Sequence, residues 1–260
     1  MLAELEDVSL YYELAGAGPR VLLISGTGSD LRRPPGPFAW PGAQDFSLLA
    51  YDHRDLGRSR SRAQAQPTMD ELAADALALV DHVGWDSFSL IGISFGGMVA
   101  QELALAAGER VERMVLACTS AGGAYGASYP LHELYSLSEA ERTAKLVRLL
   151  DTRAEENEEL AQAIAQYLTI DRSFATGEQP PDGLLRQLEA RSLHDTSARL
   201  SSLTLPTLVA AGRFDGLAPP ARSERIAAAI PGARLELFDG GHGFLVQDPA
   251  AWPAIVEFLR

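Results

Sequence analysis

A serine hydroxyl is a poor nucleophile at neutral pH, and becomes a good one when a histidine can take its proton and a carboxylate can orient that histidine. This chain holds one residue of each kind in a glycine-flanked setting. Ser94 stands in Gly92-Ile93-Ser94-Phe95-Gly96-Gly97, Asp215 in Gly212-Arg213-Phe214-Asp215-Gly216 and His242 in Asp239-Gly240-Gly241-His242-Gly243. The chemistry such a set performs is attack on an acyl carbon by the serine, with the histidine moving the proton. Asp239, three residues before His242, is the rival carboxylate; Asp215 is preferred because its loop follows the preceding strand. The other histidines read as structural. His53 belongs to a turn, His82 to a helix end, and His132 and His194 to a helical stretch described below.

Positioning three distant residues is the work of the elements around them. Short apolar runs alternate with helical patterns, which predicts a mostly parallel sheet flanked by helices. The runs are Leu5 to Val8 and Leu10 to Leu14 as an opening hairpin, then Val21 to Ile24, Leu48 to Tyr51, Ser87 to Ile91, Val111 to Ala117, Leu208 to Ala211 and Leu235 to Phe238. The central ones lack polar alternation, as strands covered on both faces do. Thr68 to Val83 reads as a helix opened by a capping box of Thr68 and Glu71, Phe95 to Ala107 as a second, and Pro249 to Leu259 as the last, with Asp248 as its cap. Cys118 reads as a buried strand residue beside Val115, Leu116 and Ala117.

The strand Ser87 to Ile91 runs straight into the Ser94 turn and then into a helix, the context of a nucleophile elbow. A serine on that turn has strained backbone angles, and side chains two residues to either side would strike the neighbouring strand and helix, so Gly92 and Gly96 must be small. Parallel strands bring their carboxyl ends to one edge, where the loops of Asp215 and His242 can converge on Ser94.

Between Ala121 and Leu205 strand patterns vanish. Ser138 with Glu141 makes another capping box, Glu155 to Leu168 an acidic amphipathic helix, and Leu184 to Leu193 a third helix. This stretch is expected to be an all-helical cap inserted at 121–205 into a core of 1–120 and 206–260. Its aromatics Tyr125, Tyr129, Tyr135, Tyr167 and Phe174 are either its own core or a pocket roof.

With these motifs in the order Ser, Asp, His, the chain resembles the α/β-hydrolase superfamily from the opening hairpin to the last helix. The resemblance implies an α/β-hydrolase fold with an eight-stranded sheet, Ser94 as nucleophile, His242 as base and then acid, and Asp215 as the orienting acid. It also implies an oxyanion hole from the backbone N–H groups of Phe95 and Thr27. Thr27 enters because Ser25-Gly26-Thr27-Gly28 matches the family's His-Gly-x-Gly loop, with Ser25 where the histidine usually stands. A second departure lies in Asp52-His53-Arg54-Asp55-Leu56-Gly57-Arg58-Ser59, which matches D-x-R-G-x-G-x-S except for Asp55 in place of the first glycine. Aspartate tolerates unusual backbone angles, and Asp55 could also face the pocket.

Composition narrows the partners. The chain has 260 residues and a net charge of −13, from 22 Lys+Arg against 35 Asp+Glu, so most of its surface repels nucleic acid and anionic membranes. No apolar stretch suits a bilayer, the first residues are acidic where a signal peptide is basic, and one cysteine forbids an internal disulfide, which together suggest the cytoplasm. No phosphate loop or metal cluster is evident, and no cofactor is expected. The expected activity is hydrolysis of a small, largely apolar carboxylic ester or lactone by a monomer or homodimer. Carbon–carbon bond hydrolysis and acyl transfer use the same three residues and stay open, as does a small-molecule receptor with an idle triad.

Overall fold

The computed structural model describes residues 1–34, 36–173 and 182–260. Among the described residues nine strands form one sheet: β1 (Leu2–Glu4), β2 (Val8–Ala15), β3 (Arg20–Ile24), β4 (Ser47–Tyr51), β5 (Arg60–Ser61), β6 (Phe88–Ile93), β7 (Val111–Ala117), β8 (Thr207–Gly212) and β9 (Arg234–Phe238). Their order is β1-β2-β4-β3-β6-β7-β8-β9, with β5 paired to β2. Pairings from β4 to β9 are parallel, and those of β2 with β1, β4 and β5 antiparallel.

The helices among the described residues are α1 (Met69–His82), α2 (Phe95–Ala107), α3 (Glu139–Leu150), α4 (Glu158–Ser173), α5 (Asp182–Ser192), α6 (Pro220–Ala229), α7 (Phe244–Gln247) and α8 (Ala251–Leu259). Among the described residues the connection from β7 to β8 carries α3, α4, α5 and short 3-10 turns, and no named strand. Both expected capping boxes form, Thr68 with Glu71 and Ser138 with Glu141.

The missing polar alternation has a simple cause. Leu22, Ile24, Leu90, Leu116 and Val209 point to one face, where they pack with Leu79 of α1, Val99 and Leu103 of α2 and Ile226 of α6. Val21, Leu23, Ile91, Val115 and Leu208 point to the other, against Trp252, Ile255 and Phe258 of α8. Neighbours along each central strand are therefore both apolar, and their shared burial is the main force holding the sheet.

Four expectations need correction. The opening hairpin is shifted: Leu5 and the acidic pair Glu6-Asp7 form its turn, closed by Leu5 N–H donating to Val8 O at 2.9 Å, so Leu2–Glu4 takes the place expected of Leu5 to Val8. The sheet has a ninth strand, β5, too short for any period to show. The acidic helix starts at Glu158, because Asp151 caps a 3-10 turn over Thr152–Glu155. The last helix starts at Ala251, and Asp248 instead accepts from the N–H groups of Ala250 and Asp239, joining α8 to the His242 loop.

Candidate active site

Strand β6 ends at Ile93 and α2 begins at Phe95, leaving Ser94 alone on the turn at φ 55° and ψ −115°. A β-carbon at Gly92 would lie 2.6 Å from the Ala100 methyl, and one at Gly96 would strike the Ile24 carbonyl oxygen. The turn is tied down from β7, where the Ala117 carbonyl accepts from Ser94 N–H at 2.8 Å, and from Thr119, whose hydroxyl donates to Ser94 O at 2.7 Å.

The structure brings Ser94, His242 and Asp215 together. Ser94 Oγ lies 2.9 Å from His242 Nε2, and His242 Nδ1 lies 2.8 Å from Asp215 Oδ2. Asp215 is buried, and its other oxygen accepts from Leu217 and Ala218 N–H, each at 2.8 Å. A carboxylate so held keeps the imidazole in the tautomer with Nδ1–H toward Asp215 and a bare Nε2 toward the serine. The connection from β7 to β8 closes on this assembly: Leu150 O accepts from His242 N–H at 2.6 Å, and Leu149 O from Gly216 N–H at 3.0 Å.

Asp239 stands elsewhere. Its side chain is 72% exposed and accepts from Arg153. Asp215→Asn should therefore lower kcat on any ester turned over by about four powers of ten, while Asp239→Asn changes it less than about threefold. Steady-state kinetics on the two variants checks this, and a larger loss in Asp239→Asn would reverse the assignment.

Phe95 opens α2, so its N–H is among those left without an intrahelical acceptor. The Ser25–Gly28 loop passes close by, a β-carbon built on Gly26 lying 3.6 Å from Ser94 Cβ. Two residues hold that loop, and neither was singled out for this work from the sequence. Gln187 of α5 accepts the Gly28 N–H on Oε1 at 2.7 Å. His53 donates from Nε2 to Ser25 O at 3.0 Å, its ring edge-on to Phe95 and Tyr51. The imidazole absent at position 25 is thus supplied from β4's outgoing turn.

Burial pushes the His53 pKa down to about 4, against the Ser25 bond, which favours the charged form. His194 is also pushed to about 4, by burial and then by the Arg199 charge. Both stay neutral in the folded chain while an unfolded histidine protonates near 6.5. The unfolded state then binds more protons between these values, so stability is full above 6.5 and falls as pH drops toward 4, by about 3 kcal/mol for each group. His194→Leu should flatten that limb in urea melts run across this range; an unchanged slope would show that His194 takes no part.

Asp55 sits at φ 60° and accepts from Ser61 and, at 2.9 Å, from Arg186 of α5. Burial would raise its pKa, but these bonds hold it below the usual carboxylate range. Aspartate in the glycine position therefore keeps the turn and ties it to α5. Cys118 lies just past β7, buried, its thiol pushed up by burial and then by the Asp215 charge. Of the aromatics between β7 and β8, Tyr125 packs on the core, whereas Tyr135 and Tyr167 are exposed. Phe174 lies outside the described residues. His132 is exposed.

The α/β hydrolase fold family model matches residues 19–249. RutD of Pseudomonas savastanoi pv. phaseolicola, a proposed carbamate hydrolase, is 30% identical over 256 residues, covering 93% of this chain and 94% of that protein. The crystal structure of a hydrolase from Pseudomonas aeruginosa PA01 superposes with a TM-score of 0.76 at 30% identity, covering 97% of this chain and 94% of the other. The enol-lactonase from Burkholderia xenovorans LB400 superposes with a TM-score of 0.79 at 24% identity, covering 100% and 99% of the two chains, a likeness of fold alone. With a parallel sheet built as that family builds it and a family match across most of its length, the chain belongs to the α/β-hydrolase fold family.

Proposed function

We propose that the protein is a cofactor-free serine hydrolase that cleaves a small, largely apolar carboxylic ester or lactone. The observation that carries this reading is the unbroken hydrogen-bonded chain from Ser94 Oγ through His242 to Asp215. Ser94 attacks the acyl carbon and passes its proton to His242 Nε2. Asp215 stabilises the imidazolium, and the N–H groups of Phe95 and Thr27 hold the oxyanion. The leaving oxygen takes the proton from His242, and water, activated by the same imidazole, releases the acid from the acyl-enzyme. The helices at 121–205 act as a cap over this site, consistent with the contacts of Leu149, Leu150 and Gln187 to its loops.

Carbamate cleavage is a second reading, favoured by the likeness to RutD. It begins with the same attack, on a carbonyl carbon bearing nitrogen as well as oxygen. The test is a fluorophosphonate probe together with a panel of short-chain p-nitrophenyl esters, lactones and an N-alkyl carbamate. Labelling of Ser94 with turnover of esters or lactones supports the first reading, and preference for the carbamate supports the second. Absence of both labelling and turnover would remove the hydrolase reading altogether.

A further inference from the structure

One face of α5 lies against the catalytic loops. Leu184 reaches Gly28, where a β-carbon would lie 3.3 Å from its Cδ1, and Gln187 binds the Gly28 N–H. Arg191 follows Gln187 by four residues on the same stripe, about 6 Å further along the axis. Its guanidinium binds residues 128–129, which in turn bond the Asp215 loop. Arg191 Nη1 donates to Tyr129 O at 2.8 Å and Nη2 to Ser128 Oγ at 2.6 Å. Tyr129 N–H in turn donates to Leu217 O, beside the Leu217 N–H that Asp215 accepts. Ser128 N–H donates to Ser120 Oγ, next in sequence to the Thr119 that holds the Ser94 turn.

Arg191 is only 6% exposed, and both of its partners are neutral. Its Nε is buried without a hydrogen-bond partner, and burial, with no carboxylate to offset it, pushes its pKa down to about 10. Other sheltered arginines of this chain have an acid: Arg54 has Asp75, and Arg186 has Asp55. A buried guanidinium without a counter-charge is costly, and an anionic ligand would offset that cost. The segment it holds is cationic on its other sides too. Arg222 donates to the carbonyls of Tyr125 and Ala127, Arg225 to that of Ala124, and the Lys145 ammonium stands 5.3 Å over the Tyr129 ring. None of these three forms an ion pair among the described residues, in a chain whose net charge is −13.

We propose that Arg191 is the anchor of an anion subsite in the active cleft, and that the substrate is an otherwise apolar ester or lactone bearing one carboxylate. The carboxylate pairs with the unused N–H donors of Arg191 while the scissile carbonyl sits at Ser94. This rests on the hydrolase reading above and names its substrate class.

The test compares p-nitrophenyl hydrogen glutarate with its neutral methyl ester on wild type, Arg191→Gln and Arg191→Lys. Wild type should favour the monoacid in kcat/KM. Arg191→Gln should lose about 30-fold or more on the monoacid relative to its loss on the diester, mainly through KM, with part of that difference restored in Arg191→Lys. A wild-type preference for the diester, or equal losses on both substrates, would overturn the subsite and leave Arg191 as a brace for residues 128–129. Glutarate and dimethyl glutarate supply a measurement on wild type alone: only glutarate should raise its melting temperature and slow its labelling by the fluorophosphonate. The two readings fail separately. A protein that hydrolyses both esters without preference keeps the hydrolase and loses the subsite; one that hydrolyses neither, yet is stabilised by glutarate in an Arg191-dependent way, does the reverse.

Discussion

Ser94→Ala should reduce kcat on any ester the protein turns over by about four to six powers of ten and abolish fluorophosphonate labelling, with the melting temperature changed by no more than a few degrees. The size of the loss follows from the role proposed for one atom. Among the described residues Ser94 Oγ is the only group presented to His242 Nε2, at 2.9 Å, and without it neither an acyl-enzyme nor a proton path remains. What survives is binding and the oxyanion donors, which alone keep a modest advantage over water. Stability is largely spared because the backbone holds the turn, through Ala117, Thr119 and the glycines, whatever the side chain. Retention of more than a tenth of the wild-type rate would show that Ser94 is not the nucleophile.

A large effect on stability is expected at Gly96. A methyl group there would meet the Ile24 carbonyl and lie 2.6 Å from the Ser25 carbonyl, both backbone atoms. Strand β3 cannot give way, since Leu23 and Ile24 are paired in register with Ile91 and Gly92 of β6. Gly96→Ala should cost about 2–5 kcal/mol in urea unfolding, and activity should fall in the folded fraction because Ser25–Gly28 is displaced relative to Ser94. Gly232→Ala is the control. Unlike Gly96, which is helical, it sits at positive φ, 76°, but in open space, and should cost only about 1 kcal/mol. A loss in Gly96→Ala no larger than that in Gly232→Ala would mean that the neighbouring backbone yields and the collision carries no penalty of its own.

Elements whose signal is local were legible in the sequence. β7 and α2 fall where apolar runs and helical spacing put them, and both capping boxes form, because three consecutive contacts within one turn suffice to specify each. Elements decided by distant partners were not. β5 exists because Ser61 and Arg60 meet Val8 and Ser9, and two residues carry no period to read. α7 is a four-residue turn after the His242 loop, also below the length that periodicity can detect.

The site divides in the same way. Ser94, Asp215 and His242 stand out because the turns presenting them need small neighbours, and glycine leaves a mark in sequence. Gln187 and Arg191 leave none, and His53 only an indirect one. Gln187 meets Gly28 across 159 residues, and its amide is one polar group on an ordinary amphipathic helix. Arg191 looks like any surface arginine of α5 until the chain folds over it. The one advance signal for His53 was the departure at Ser25, which left the loop without the imidazole that its family usually carries there.

The backbone angles of Ser94 belong to the position rather than to serine. They fall outside the regions open to residues with a β-carbon, at a price of about 1–3 kcal/mol that the surrounding hydrogen bonds and close packing sustain. Glycine would sit there with less strain, offset in part by its greater freedom in the unfolded chain. At this one residue activity and durability are thus opposed: Ser94→Gly is expected to unfold at a temperature equal to or above that of the wild type while having nothing left to attack with. Selection for heat resistance alone would drift toward replacing Ser94, so under the proposed reading the strain of this turn is the cost of presenting a nucleophile.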